Sequence, residues 1–389
     1  MSGSRTHLRP DALGGAVAAF EGIQGGVAVI NAPTGCKFGL GWAADVQDPH
    51  GSNLDPLEHT EPFYFGQARA PATALDGMDY VYGSSPKLRE LLKLVEGKGH
   101  SVIGVVNGPG TALIGDDLES LRKELGLRTP VVISAQTGFT GSMAEGFQKA
   151  TLELLRALAP AQQSVEPHRV NLIGPMLFQK DWAMDVEELR RNLAVLGIEV
   201  GCVLTAGECL DNIRGLRSAA LNVVTQEEYG DQIAVNLEEA YGMPFLSLDV
   251  LSPFGMEAID LWGREIARAL CIAIEPWDAL SRQTRQNAVR ALGRFATRTG
   301  LPRGVPYAFV GDSSQAASWM LFLTDYLGMR PVMLGLHEVG PRSLAFIRHF
   351  LKERDLSTDV LVHPNQYLLQ DAVRERSPWL VLGSCFEEQ

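Results

Sequence analysis

Cys36 is the side chain in this sequence best placed to do chemistry. It lies in Val27-Ala28-Val29-Ile30-Asn31-Ala32-Pro33-Thr34-Gly35-Cys36-Lys37-Phe38-Gly39. The apolar run Val27–Ile30 predicts a buried strand, Asn-Ala-Pro ends it, and a helix is expected from Leu40 to Val46. A thiol at the carboxyl end of a parallel strand stands where open α/β sheets hold ligands. Gly35 and Gly39 let the backbone come close to something bulky. Lys37 would favour the thiolate of its neighbour; the other reading is a solvated surface lysine. Such a thiolate suits one corner of an iron–sulfur cluster, and one cysteine cannot hold a cluster alone. The same residues also suit a small apolar filler beneath a loop, and spacing alone leaves both readings open.

Further candidates follow the ends of other expected strands. Cys385, in Val381-Leu382-Gly383-Ser384-Cys385-Phe386, is either a further metal ligand or a buried loop cysteine. His363, in Leu361-Val362-His363-Pro364, and His337, after Gly335-Leu336, either face the same cleft or are hydrogen-bonded structural histidines. Cys202 and Cys209 are separated by six residues, which suits no metal motif. Both read as packing residues, as does Cys271 in its apolar helix. Asp116 and Asp117 are expected to cap a helix from Leu118 to Leu125. Neither a Ser-His-Asp arrangement nor paired carboxylates stand out, so no catalytic residue is assigned.

These residues must be positioned by an α/β scaffold. Short apolar runs alternate with helical stretches, the pattern of parallel sheets buried on both faces. Strands are expected near Val27–Ile30, Tyr80–Val81, Val102–Val106 and Val131–Ile133. Further strands are expected at Arg169–Pro175, Glu199–Leu204, Ala219–Val224 and Pro244–Ser247, and later at Pro306–Ser313, Arg330–Leu334, Asp359–Val362 and Trp379–Leu382. A long helical segment, Glu257 to Arg298, is expected to break around Pro276 and Asp278. The expected fold is three Rossmann-like α/β domains, 1–165, 166–300 and 301–389, each a mostly parallel sheet flanked by helices. Neither the Gly-x-Gly-x-x-Gly fingerprint nor the Walker A pattern is present, so the chain is not expected to be an ATP-binding component.

Composition narrows the class. The 389 residues are 46% hydrophobic and 21% charged, ordinary globular usage. A net charge of −12 argues against nucleic acid or an anionic membrane surface as a partner. Five cysteines in unpatterned spacing make no disulfide framework. No apolar run approaches the ~20 residues of a membrane span. The stretch with Arg5, His7 and Arg9 lacks the apolar segment of a signal peptide, so a cytoplasmic location is expected.

The order of motifs carries more than any one of them. The Cys36 turn is followed by Glu61-Pro62-Phe63-Tyr64-Phe65-Gly66 and by Leu75-Asp76-Gly77-Met78-Asp79-Tyr80-Val81-Tyr82-Gly83, which runs on to Lys87-Leu88. Then come Ala112-Leu113-Ile114-Gly115-Asp116-Asp117 and Gly138-Phe139-Thr140-Gly141-Ser142, which opens a long helix. This succession resembles the nitrogenase component 1 family, over nearly the whole chain. The family includes nitrogenase, its cofactor scaffold and the dark-operative tetrapyrrole reductases. Its members that carry a full cluster half have three cysteines, of which only Cys36 is matched here, and Pro109 stands about where the third would be. The resemblance therefore implies a β-type, one-cysteine subunit. It implies a [4Fe–4S] or larger P-cluster-like centre shared with a three-cysteine α-type partner. It also implies a separate P-loop iron protein as electron donor, with Asp116 and Asp117 near the cluster loop.

In α-type subunits a cysteine ligand of the catalytic iron cofactor follows the Leu-Asn-x-Val strand; here Leu221-Asn222-Val223-Val224-Thr225 runs into Gln226. Two other roles remain open: a non-catalytic scaffold subunit for metallocofactor assembly, and a binding protein for a tetrapyrrole or small metabolite. Relative to the family the third domain is expected to be short and open, its cleft near His363 and Cys385 covered by a partner or left accessible.

Overall fold

The structure, a computed structural model, describes residues 11–36, 70–134, 141–248, 252–300 and 302–383. Its first sheet is parallel, in the order β1 (Gly26–Asn31), β2 (Val102–Asn107), β3 (Val131–Ser134). Valine and isoleucine runs form these strands because branched side chains pack well on a pleated surface covered on both sides. Alternation sorts the faces. Val27, Val29, Ile103 and Val105 meet Leu88, Leu92 and Val95 of the helix Ser85–Glu96 and Leu118 and Leu121 of the helix Leu118–Leu125. On the opposite face Gly104 abuts the ring of Phe20, from the helix Ala12–Glu21. That helix packs beside Met143–Leu158, which opens on a reciprocal cap between Ser142 and Glu145.

Two four-stranded sheets follow, with orders β5-β4-β6-β7 and β10-β9-β8-β11. The first comprises β4 (Glu166–Ile173), β5 (Glu199–Leu204), β6 (Ala219–Val224) and β7 (Phe245–Ser247). The second comprises β8 (Pro306–Gly311), β9 (Arg330–Leu336), β10 (Asp359–Val362) and β11 (Leu380–Leu382). All strand pairings described in these sheets are parallel. One face of the last sheet buries Phe309, Leu334 and Leu336; the other buries Ala308, Val310 and Met333. The chain is thus an α/β protein with three parallel sheets flanked by helices. It divides into two compact units: residues 1–164, 175–187 and 201–218, and residues 165–174, 188–200 and 219–389.

Three local expectations are corrected. Tyr80 and Val81 lie in a short helix, Asp79–Tyr82, with Val81 and Tyr82 exposed, and not in a strand. The acids around them decide this. Asp76 accepts from the Met78 amide at 2.8 Å, and Lys87 donates to Asp79 at 2.6 Å, so the stretch folds as a capped turn. The long helical segment breaks at 270–274, between Met256–Ala269 and Glu275–Thr299. Pro276 sits inside the first turn of the second helix, where its missing N–H costs nothing. Cys271 is exposed at that break, in the left-handed region at φ 54°, and is not packed in a helix. The expected helix Leu40–Val46 lies outside the described residues.

Candidate functional site

The Cys36 segment leaves the carboxyl end of β1, and what holds it there is a polar network that burial makes exacting. Asn31, the last residue of β1, is fully buried. Its Nδ2 donates to Ser84 Oγ and to Asn107 Oδ1, each at 3.0 Å, while its Oδ1 accepts from Thr73 Oγ1 at 3.1 Å. Its carbonyl accepts from Thr111 Oγ1 at 2.6 Å and from the Gly108 amide at 3.0 Å. The next amide, of Ala32, donates to Thr73 Oγ1 at 3.0 Å. Every polar atom of the Asn31 side chain is therefore paired, as a buried amide requires. After this anchor Pro33 turns the chain, residues 34–36 are helical, and the Cys36 amide donates to the Pro33 carbonyl at 3.1 Å.

The network runs on through Ser84 to Asp116. One carboxylate oxygen, Asp116 Oδ2, accepts from the Ser84 amide at 2.6 Å, the Ser84 hydroxyl at 2.7 Å and the Ser85 amide at 3.0 Å. Asp116 thus caps the helix Ser85–Glu96 from outside its own segment, while Asp117 alone caps Leu118–Leu125, accepting from Ser120 N at 2.9 Å. The expectation that both acids cap the second helix is half corrected. Gly83 makes the joint possible. It holds φ 102°, and an added Cβ would stand 3.0 Å from Asp116 Oδ1. Two motifs distant in sequence, Val81-x-Gly83…Lys87-Leu88 and Ile114-Gly115-Asp116-Asp117, are one physical joint.

Cys36 itself is half-buried. Burial, and then the charge of Asp11, push its thiol above the ordinary range, against the lowering by its own backbone hydrogen bond. This is the reverse of the direction expected from Lys37, which lies outside the described residues. Neither burial nor Asp11 favours the thiolate of Cys36. Among the described residues, an added Cβ at Gly35 would meet no atom within 4 Å. Tyr80 is within electrostatic reach: its hydroxyl is held above the ordinary range by burial, then by Cys36 and Asp79. Around it Met78, Val81, Tyr82 and Leu113 are exposed, the last at 89%. Among the described residues no group of three or more His, Cys, Asp or Glu could hold a metal ion. The donor set fits one ligand position of a cluster, and not a complete site.

His363 follows β10, in the left-handed region at φ 49°, and its Nδ1 lies 2.8 Å from the His337 carbonyl oxygen. A carbonyl only accepts, so Nδ1 carries the proton in this contact. The two histidines therefore meet, at the ends of adjacent strands, through backbone and ring. Cys36 and His363 belong to different compact units. Cys385 lies outside the described residues. Cys202 is buried in β5, as expected of a packing residue, and Cys209 is half-buried. The residues that sequence reasoning missed are Asn31, Thr73 and Ser84. Asn31 and Ser84 stand inside or beside recognisable motifs, but nothing in their spacing pairs them.

Comparison with known proteins places this geometry. A family model described as nitrogenase component 1 type oxidoreductase matches residues 12–389. The chain belongs to the nitrogenase component 1 family. A light-independent protochlorophyllide reductase polypeptide of Chlorobium limicola, the B component of that enzyme, is 28% identical over 294 residues, covering 71% of this chain and 53% of that protein. Its counterpart from Chloroflexus aurantiacus is 27% identical over 323 residues, covering 81% and 58%. The chain thus spans somewhat over half the length of these relatives. A solved structure titled nitrogenase Cp1 at pH 5 superposes with a TM-score of 0.69 at 17% identity, over 98% of this chain and 81% of that one, a likeness of fold. In this nitrogenase component 1 protein no helix among the described residues is long and apolar enough to cross a membrane.

Proposed function

We propose that the chain is the one-thiolate subunit of a nitrogenase-like reductase, made of three α/β domains, 1–165, 166–300 and 301–389. Cys36 supplies one ligand to an iron–sulfur cluster, of the [4Fe–4S] or a larger type, that a homologous three-cysteine subunit completes. When bound, such a cluster supplies low-potential single-electron transfer, whose potential the protein tunes through burial and hydrogen bonding. A separate ATP-dependent iron protein is the electron donor, and the complex works in the cytoplasm. The names of the relatives make a tetrapyrrole of the protochlorophyllide class the favoured substrate.

The observation that carries this reading is the half-buried thiol of Cys36, which follows a strand end held by a fully paired network. The exposed apolar residues Met78, Val81 and Tyr82, close together in one short stretch of chain, favour a partner surface there. Gly35 belongs to the ligand turn, and Lys37 is a further cofactor-binding candidate. His363 and Cys385 are secondary candidates for a ligand position in the third domain.

The test is iron analysis of the complex purified anaerobically with its three-cysteine partner. Cys36→Ala removes most of the iron and the thiolate-to-iron absorption band while the circular dichroism of the sheets is kept. Retention of both iron and the band would overturn the assignment. Turnover with an iron protein separates a reductase from a maturation scaffold.

A further inference from the structure

The second compact unit holds a buried polar joint made of residues distant in sequence. The first turn of the helix Glu227–Tyr241 carries two adjacent acids, Glu227 and Glu228, at only 9% and 7% relative exposure. Each carboxylate ends on the N-terminus of a different helix. Glu228 accepts from the Ser314 amide and the Ser314 hydroxyl, both at 2.7 Å, and from the Ser313 hydroxyl, at the start of Ser313–Leu321. Glu227 accepts from the amides of Arg342 at 3.0 Å and Ser343 at 2.9 Å, and from the Ser343 hydroxyl at 3.0 Å, at the start of Pro341–Glu353. Arg342 Nε adds a contact to Glu227 at 3.2 Å and its guanidinium also reaches Asp231 and Ser247.

These two helices follow the carboxyl ends of β8 and β9. Strand ends that lead into helix N-termini are where open α/β sheets take up anions, because the first amides of a helix have no partner within it and the dipole favours negative charge. Here those amides are already taken by carboxylates of the same unit. The turn is shaped for this. A Cβ at Gly340 would stand 2.1 Å from Glu227 Oε2, and the carboxylate could move aside only by giving up its donors. The Gly340 amide donates to Ser313 Oγ at 2.8 Å, and Ser313 Oγ lies 2.6 Å from Ser343 Oγ, which ties the two helix starts together.

We propose that Glu227 and Glu228 are built-in ligands: their carboxylates fill the two anion positions at the helix starts after β8 and β9. They thereby close this sheet edge to phosphate-bearing ligands and fasten the helix Glu227–Tyr241 to it. The joint lies within the second unit, and Cys36 belongs to the first.

The experiment uses the full chain and inorganic phosphate as the probe, with chloride at equal ionic strength as the control. The native protein shows in phosphate only the general, non-saturating stabilisation that this anion gives folded chains over chloride. Glu228→Ala lowers the midpoint in chloride and recovers it in phosphate along a saturating curve; Glu228→Gln, which keeps an acceptor in place, shows no such recovery. Equal response of native protein and Glu228→Ala to phosphate would overturn the proposal. Gly340→Ala tests it without emptying the site: amide exchange at Arg342 and Ser343 rises at least ~10-fold, in line with loss of one charge-assisted acceptor. Unchanged exchange at those amides also overturns it.

Discussion

Replacing Asp116 by alanine removes one oxygen that serves three donors: the Ser84 amide, the Ser84 hydroxyl and the Ser85 amide. Ser84 is fully buried, and its hydroxyl is also the acceptor for Asn31 Nδ2. A buried donor left without an acceptor costs about 1–3 kcal/mol, and loss of a helix cap about 0.5–2 kcal/mol. Water reaches part of this site, so the lower end applies to each donor, and the sum is about 3 kcal/mol. Through Ser84 the loss passes to Asn31 and so to the strand end from which Cys36 departs. If the helix Ser85–Glu96 and the segment 31–36 open together, their amide exchange rises about 100-fold, since 1.36 kcal/mol is one decade. Hydrogen exchange read by peptide mass spectrometry resolves both segments. Asp116→Asn keeps an acceptor but loses the charge, and its effect is about half as large in free energy. Exchange that stays within ~3-fold in both segments would refute the coupling. So would a change confined to Leu118–Leu125, for then Asp116 acts only on the helix that follows it.

Other outcomes follow from the same structure. Thr73→Val removes the acceptor of the Ala32 amide and the donor to Asn31, and lowers stability by about 1–3 kcal/mol in denaturant titration; a loss below ~0.5 kcal/mol would contradict the network. In metal-free protein Cys36 reacts slowly with iodoacetamide at neutral pH, with a midpoint above the ~8.5 of an ordinary thiol, and Asp11→Asn shifts that midpoint down. A reaction rate already at its plateau at pH 8 refutes the stated environment. In the second unit, burial raises Glu228, while burial and then the charges of Glu228 and Glu338 raise Asp312 well above the ordinary carboxylate range. Groups raised on folding stabilise below their unfolded pKa of about 4 and lose that contribution as pH rises through the folded values. The unit's unfolding midpoint therefore falls with rising pH above that range, and Asp312→Asn flattens the fall; a midpoint that climbs steadily from pH 5 to 8 would be inconsistent with it. Asp117→Ala loosens Leu118–Leu125 alone, read as faster amide exchange confined to that helix; exchange that is unchanged there contradicts the cap.

Much of the fold is written locally. The valine-rich runs at 27–30, 102–106 and 219–224 are strands because residues that must pack on two covered faces leave a continuous apolar signal. The place of Cys36 just past a strand was legible for the same reason: the apolar run that precedes it marks β1. Its lone occurrence on that turn, with no cysteine upstream, is also a property of the sequence alone.

What tertiary structure decided are the partners of polar groups. Asp116 looked like a cap for the helix after it, and finds its donors 31 and 32 residues earlier. Nothing in the sequence around Glu227 and Glu228 points to their donors, which lie 85 to 116 residues away. The apolar pair Tyr80–Val81 suggested a strand, but the first sheet is formed by β1, β2 and β3 without it. Apolar periodicity is read from neighbours along the chain, because burial acts on a whole face and tolerates substitution of one apolar group for another. A buried hydrogen bond is directional and short, so its partner is known only when the chain has brought two distant segments within about 3 Å of each other.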